Sequence, residues 1–134
     1  MATSAGPDAT TLYDADRPLE PAAWLALKPA EKLRLAVTFH ASKRLASGRY
    51  KSHAPMHVAL EDRVARREAP VVHALARLQQ QGMTRHDALH AVGDVLTEHL
   101  RLLDTAPGPI AAGAWQRRFN EALEQLQAPP AAGR

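Results

Sequence analysis

The apolar residues of this chain recur at intervals of three and four positions, which is the spacing of amphipathic α-helices. In the segment "KPAEKLRLAVTFHASKRL", Leu33, Ala36 and Val37 follow this spacing, and His40 shares their face. Segments further along the chain repeat this spacing, and none alternates apolar and polar residues as a half-buried strand does. The pattern therefore predicts an all-α fold, a compact bundle of about five helices with short connections.

Prolines, glycines and short polar residues mark where these helices begin and end. Pro55 is expected to open the helix of about 54–68, because a first-turn residue needs no N–H donor. Gly82 suits the position after a helix end. Thr84, with Asp87 three residues later, suits the N-cap of the next helix.

The chain of 134 residues has the length of one domain. We expect a single helical domain over residues 20–127. Residues 1–19 are small, polar and acidic and predict a flexible N-terminal arm, and residues 128–134 predict a flexible tail.

The composition narrows the function classes. With 46% hydrophobic and 23% charged residues the chain is globular, and its lack of cysteine excludes disulfides, thiolate metal sites and cysteine nucleophiles. The N-terminus has no basic region followed by an apolar run, so we expect no signal peptide. No stretch approaches the roughly 20 apolar residues of a membrane span. We therefore expect a cytoplasmic protein without a membrane partner.

Histidines form the most unusual pattern in the sequence. All seven lie between residues 40 and 99. On the helical wheel His57 falls among the apolar residues of its segment and Glu61 lies on the flank of that arc, so both are expected to face the core. A buried carboxylate requires a partner or a proton. His86 and His90 are also one helical turn apart and share a side.

Imidazoles one turn apart can reach a single metal ion, which makes these residues candidate ligands. Imidazole-rich ligation favours zinc, iron, nickel or copper over magnesium or calcium. If the site is catalytic, the metal would activate water and Glu61 would be the candidate base. The alternative is a hydrogen-bonded polar network without metal that fixes how the helices register. The predicted metal set is His40, His53, His57, Glu61, His86 and His90.

Seven Lys and Arg residues form a basic strip over residues 43–67, most of them in the loop or on the outer face of the next helix, and the net charge of the chain is +3. Such a strip can contact nucleic-acid phosphates, but a solvated helix face is the favoured interpretation. The competing function class is an interaction or scaffold module that binds a protein partner or a second copy of the chain. The candidate phosphate-contacting residues are Lys43, Arg44, Arg49 and Lys51.

Several motifs over residues 20–103 resemble those of an uncharacterised family of small bacterial helical proteins. They are a Trp-Leu start, a Phe-His pair, a His-x-x-x-His-x-x-x-Glu run and a later Gly-x-x-Arg-His-x-x-x-His run. The resemblance implies that the six residues of the predicted metal set are the family's polar set, and it implies no activity. This chain departs from the pattern at Asp62, where asparagine is expected, and at Asp87, where glutamate is expected.

Overall fold

A computed structural model describes residues 13–42 and 49–130, without the side chains of residues 40–42 and 49–52. These residues contain six helices and no strand, which confirms the all-α prediction. The chain divides after Glu68 into two compact units. The predicted single domain of residues 20–127 includes parts of both units. The helices are α1 (Pro21–Ala26), α2 (Pro29–Ser42) and α3 (Arg49–Ala65) in the first unit, and α4 (Ala69–Gln80), α5 (Arg85–Thr105) and α6 (Ala112–Gln125) in the second.

The buried face of α2 differs by one position from the face that the spacing predicted. Leu33 is 40% exposed, whereas Leu35, Ala36 and Phe39 are buried. The aromatic ring of Phe39 removes more apolar surface from water than Val37 can, so the helix turns toward it. Lys32 also lies on this face, at 7% exposure.

Lys32 is accommodated because a charge and a ring from two other helices surround it. Its Nζ lies 2.8 Å from Asp62 Oδ1 in α3 and 5.7 Å from the ring centroid of Trp24 in α1. The Trp24 indole N–H donates to the same Asp62 oxygen at 2.9 Å. This cluster of Trp24, Lys32 and Asp62 joins all three helices of the first unit.

Two boundaries of the first unit correct the sequence-based expectations. Helix α3 begins at Arg49, so Pro55 lies inside it rather than at its start and His53 is helical. Proline has a helical φ but lacks its N–H, and its ring crowds the carbonyl four residues earlier, so the helix continues through Pro55 with one hydrogen bond fewer and at a cost in stability. The sequence predicts a flexible arm over residues 1–19, of which residues 1–12 lie outside the described part of the chain, but Tyr13 and Ala15 are buried.

The second unit packs its three helices around apolar side chains. The rings of Trp115 and Phe119 in α6 stack at 5.3 Å, and the Trp115 indole N–H donates to the backbone oxygen of His99 at 2.6 Å. Thr84 caps α5 by accepting the Asp87 N–H at 3.0 Å, as the sequence predicted. The core residues are Val71, Leu75, Leu78, Leu89, Val92, Leu96, Trp115, Phe119 and Leu123.

Arg77 of α4 and Gln81, the residue after α4, hold the end of α6 and the chain that follows it. The Arg77 guanidinium donates to the carbonyls of Leu123 and Leu126, which satisfies acceptors that a helix end leaves open. The Gln81 side chain accepts the N–H of Ala128 at 2.7 Å. The first residue of the predicted tail is therefore hydrogen-bonded, and residues 131–134 lie outside the described residues.

None of the helices within the described ranges combines the length and the apolar character that a membrane crossing requires.

The same C-terminal turn ends α3 and α4, but with different residues at its left-handed position. In each case two successive N–H groups donate back to carbonyls of the last helical turns, which is the Schellman motif. Arg67 has φ 61° in the first turn, and Gly82 has φ 104° in the second. Glycine adopts this conformation without the steric cost that a side chain incurs.

We therefore expect opposite effects from exchanging the residue types at these two turns. Arg67→Gly should raise the free energy of unfolding by roughly 0.5–1 kcal/mol, and Gly82→Ala should lower it by about 1 kcal/mol. Urea unfolding with an unchanged m-value measures both. Changes of the same sign in the two variants would contradict this explanation.

The Lys32–Asp62 pair yields a second stability prediction. Asp62→Ala should cost about 2–3 kcal/mol, because it leaves the buried Lys32 ammonium without this carboxylate. Asp62→Asn should cost less, since its amide oxygen can still accept the Trp24 indole N–H. Adding Lys32→Met to Asp62→Ala should recover part of the loss in thermal unfolding. A double variant no more stable than Asp62→Ala alone would refute the charge argument.

Candidate functional site

Each unit contains one group of polar side chains that includes predicted site residues. In the first unit, Tyr13, His57 and Glu61 are joined by hydrogen bonds, and we call them the Tyr–His–Glu chain. In the second unit, His86 and His90 face each other, and we call them the histidine pair. These two groups contain four of the six residues in the predicted metal set.

The Tyr–His–Glu chain lies on the inner face of α3. Four residues on this face are each 0% exposed: Ala54, His57, Leu60 and Glu61. The sequence placed His57 and Glu61 toward the core, and their burial agrees with that expectation. Polar groups buried to this degree require hydrogen-bond partners.

Tyr13 provides one partner for each of them. Its hydroxyl donates to Glu61 Oε2 at 2.6 Å and lies 3.0 Å from His57 Nδ1. A separation of 2.6 Å is typical of a hydroxyl that donates to an ionised carboxylate. The phenol oxygen therefore stands between the imidazole ring and the carboxylate.

Aromatic rings fix the position of the Tyr13 hydroxyl. The Tyr13 ring lies 5.7 Å from the Trp24 ring and 5.5 Å from the Phe39 ring, with the latter pair edge to face. Such pairs add about 0.5–1.5 kcal/mol beyond their buried area. The segment before α1 is thus held against α1 and α2 by aromatic packing and against α3 by hydrogen bonds.

The histidine pair lies in the first turns of α5. Thr84 starts this helix, and the four-residue spacing then places the two imidazoles on one side of it. The Nε2 atoms of His86 and His90 are 3.0 Å apart, and the ring planes cross at 76°. Both side chains are half-buried.

Two chemical states are consistent with a 3.0 Å separation of these nitrogens. In one, an N–H of one ring donates to the lone pair of the other. In the other, both lone pairs bind one ion. With zinc–nitrogen bonds of 2.0–2.1 Å, two tetrahedral ligands lie about 3.3–3.4 Å apart and two adjacent octahedral ligands about 2.9 Å. The observed separation lies between these values, so small ring rotations would suit either geometry.

For most of the other predicted site residues, the structure describes only the backbone or nothing at all. His53 is half-buried in α3, one turn before His57. His40 lies in α2, but its side chain falls outside the described part of the chain. Lys43 and Arg44 also fall outside it, whereas Arg49 and Lys51 are described only as backbone of α3.

The remaining described histidines have different surroundings. His73 is exposed on α4. The Nδ1 atom of His99 lies 2.8 Å from the Val95 carbonyl, an acceptor, so Nδ1 carries a proton that it donates within its own helix. These two residues are natural controls for the histidine pair.

Sequence reasoning missed Tyr13. The residue lies in a stretch of small and acidic residues that suggested a flexible arm, and its partners are 44 and 48 positions away. The one available signal was the aromatic residue itself, one of two tyrosines in the chain. A large ring in a segment otherwise free of bulky side chains indicates a packing contact.

We expect Tyr13→Phe to lower the free energy of unfolding by about 2 kcal/mol, because the buried Glu61 carboxylate loses its phenol donor while the ring packing stays. Chemical denaturation measures this loss. In a Glu61→Gln background the same substitution should cost at least 1 kcal/mol less, since the acceptor is no longer charged. Equal losses in both backgrounds would show that the Tyr13–Glu61 bond is not the cause.

No family model, no curated protein and no solved structure matches this chain. The resemblance to a family of small bacterial helical proteins therefore stays a prediction.

Proposed function

We propose that this protein binds a divalent transition metal ion through imidazole nitrogens, with His86 and His90 as two of the ligands. The observation that carries the proposal is the 3.0 Å separation of their Nε2 atoms on one helix. Because the helix backbone fixes the four-residue spacing, little side-chain ordering remains to be done when an ion binds.

The donor type sets the class of metal. Neutral imidazole suits zinc, copper, nickel and iron(II), whereas magnesium and calcium prefer oxygen ligands. For a given nitrogen site the affinity rises from iron through nickel to copper and is lower again for zinc. Binding weakens as the pH falls, because a protonated imidazole has no lone pair to offer.

Two histidines do not complete a coordination shell, so further ligands come from other protein groups, water or a small molecule. The sequence-based prediction adds His40, His53 and His57 to the ligand set. Glu61 was also predicted as a ligand, but its Oε2 atom accepts the Tyr13 hydroxyl, which supports an orienting role instead. A third histidine would make the three-imidazole donor set that keeps a fourth position for water.

We also propose a cytoplasmic location for this metal-binding protein. The support is the complete absence of cysteine, which leaves no disulfide framework of the kind that small secreted domains use.

The test is metal titration of tag-free protein with zinc, nickel and copper, followed by calorimetry and elemental analysis. We expect near-stoichiometric binding by the wild type and at least a tenfold loss of affinity in His86→Ala and in His90→Ala. His73→Ala is the matched control, because it removes an exposed histidine of the same unit. At a metal concentration of about 100 times Kd, binding should stabilise the fold by about 2.7 kcal/mol.

A second panel of variants identifies the other ligands. A loss of affinity in His57→Ala, His53→Ala or His40→Ala would assign that residue to the ion, and Glu61→Gln tests the carboxylate. Circular dichroism of each variant shows whether the helices persist. Wild-type protein that stays metal-free under repletion, or His86→Ala and His90→Ala variants that bind as the wild type does, would overturn the proposal. The interaction-module hypothesis would then stand.

A further inference from the structure

We propose that Tyr13 is a positioning residue that holds His57 in the tautomer with its proton on Nδ1, so that the lone pair of the neutral ring lies on Nε2. The tautomer follows from the Tyr–His–Glu chain itself. Its use in metal binding rests on the proposed function.

The number of protons available in the Tyr–His–Glu chain fixes the tautomer. A phenol has one proton to donate, and an ionised carboxylate has none. Tyr13 donates its proton to Glu61 Oε2 at 2.6 Å. Only the oxygen lone pairs of Tyr13 then remain for His57, whose Nδ1 lies 3.0 Å away. A hydrogen bond over that distance requires His57 to donate from Nδ1.

The reversed chain would need a neutral Glu61 that donates to Tyr13, which would donate to His57 and leave the ring proton on Nε2. The length of the Tyr13–Glu61 bond favours the first arrangement. Hydroxyl bonds to ionised carboxylates measure 2.5–2.7 Å, and bonds between neutral oxygens centre near 2.7–2.8 Å. The 2.6 Å separation of the two oxygens falls within the charged range and on the short side of the neutral one.

This tautomer prepares His57 for a metal. Histidine ligands almost always donate the N–H of the other ring nitrogen to a fixed acceptor, which orients the ring and raises its basicity. Here the acceptor is the Tyr13 oxygen, which becomes a better acceptor because its own proton is drawn toward Glu61. The rings of Trp24 and Phe39 hold that oxygen in place.

The direct test is nitrogen-15 NMR of the imidazole rings in the full chain, without metal and at a pH where imidazole is neutral. The His57 signals are assigned from the spectrum of His57→Gln. In the wild type we expect a pyrrole-type Nδ1 and a pyridine-type Nε2. Tyr13→Phe removes the acceptor, so the proton should shift toward Nε2, the site that free histidine prefers. Leu35→Val, which alters apolar packing in the same unit at a residue without a polar side chain, should keep the wild-type tautomer.

A wild-type ring protonated on Nε2 would overturn the inference, and so would a Tyr13→Phe variant with an unchanged tautomer. If Tyr13→Phe does not fold, the wild-type spectrum alone decides the proton position. Zinc titration supplies the second readout. Tyr13→Phe should weaken binding about 10–100-fold, as loss of an outer partner does, and Leu35→Val should not.

The two proposals fail in different ways. If neither the wild type nor any variant binds metal, but His57 shows the expected tautomer, the proposed function is wrong. The role of Tyr13 in fixing the tautomer then still holds. Metal binding by the wild type with equal affinity in Tyr13→Phe would overturn the use of this tautomer in metal binding.

Discussion

The first unit buries a carboxylate and an imidazole with no exposed surface, and the Tyr13 phenol allows it to do so. Without that hydroxyl, Glu61 Oε2 and His57 Nδ1 would each lose a hydrogen-bond partner in surroundings of low dielectric. The phenol also brings a ring that packs on Trp24 and Phe39. One residue before the first helix therefore satisfies polar groups of α3 and joins the aromatic part of the core.

Two successive acids of α3 organise the rest of this unit. Glu61 accepts the Tyr13 hydroxyl, and Asp62 accepts both the Trp24 indole N–H and the Lys32 ammonium. Adjacent helical positions differ by about 100° in direction, so the two carboxylates serve different neighbours. The N-terminal segment, α1 and α2 are each bound to α3 by a polar contact. Such contacts add little net stability but strongly disfavour alternative arrangements, because breaking one leaves a buried group unsatisfied.

In the second unit the histidine pair differs in kind from His99. The Nδ1 atom of His99 bonds to a backbone carbonyl, so a structural explanation is sufficient. His86 and His90 point their Nε2 atoms at each other. Without an ion, these two nitrogens form one hydrogen bond, with a single proton between them. A metal ion satisfies both lone pairs at once. That difference in donor chemistry is why the metal proposal centres on this pair rather than on histidine content.

The features that the sequence determined by itself are local ones. The all-α class, the Gly82 turn, the Thr84 cap and the inward direction of His57 follow from periodicity and from residues within four positions of one another. Tertiary structure alone decided that Tyr13 is a core residue and that α2 turns Phe39 inward in preference to Val37. It also decided that α3 begins before Pro55. The physical reason is distance along the chain. The groups that form hydrogen bonds with buried Tyr13 lie 44 and 48 residues away, and no local pattern contains them.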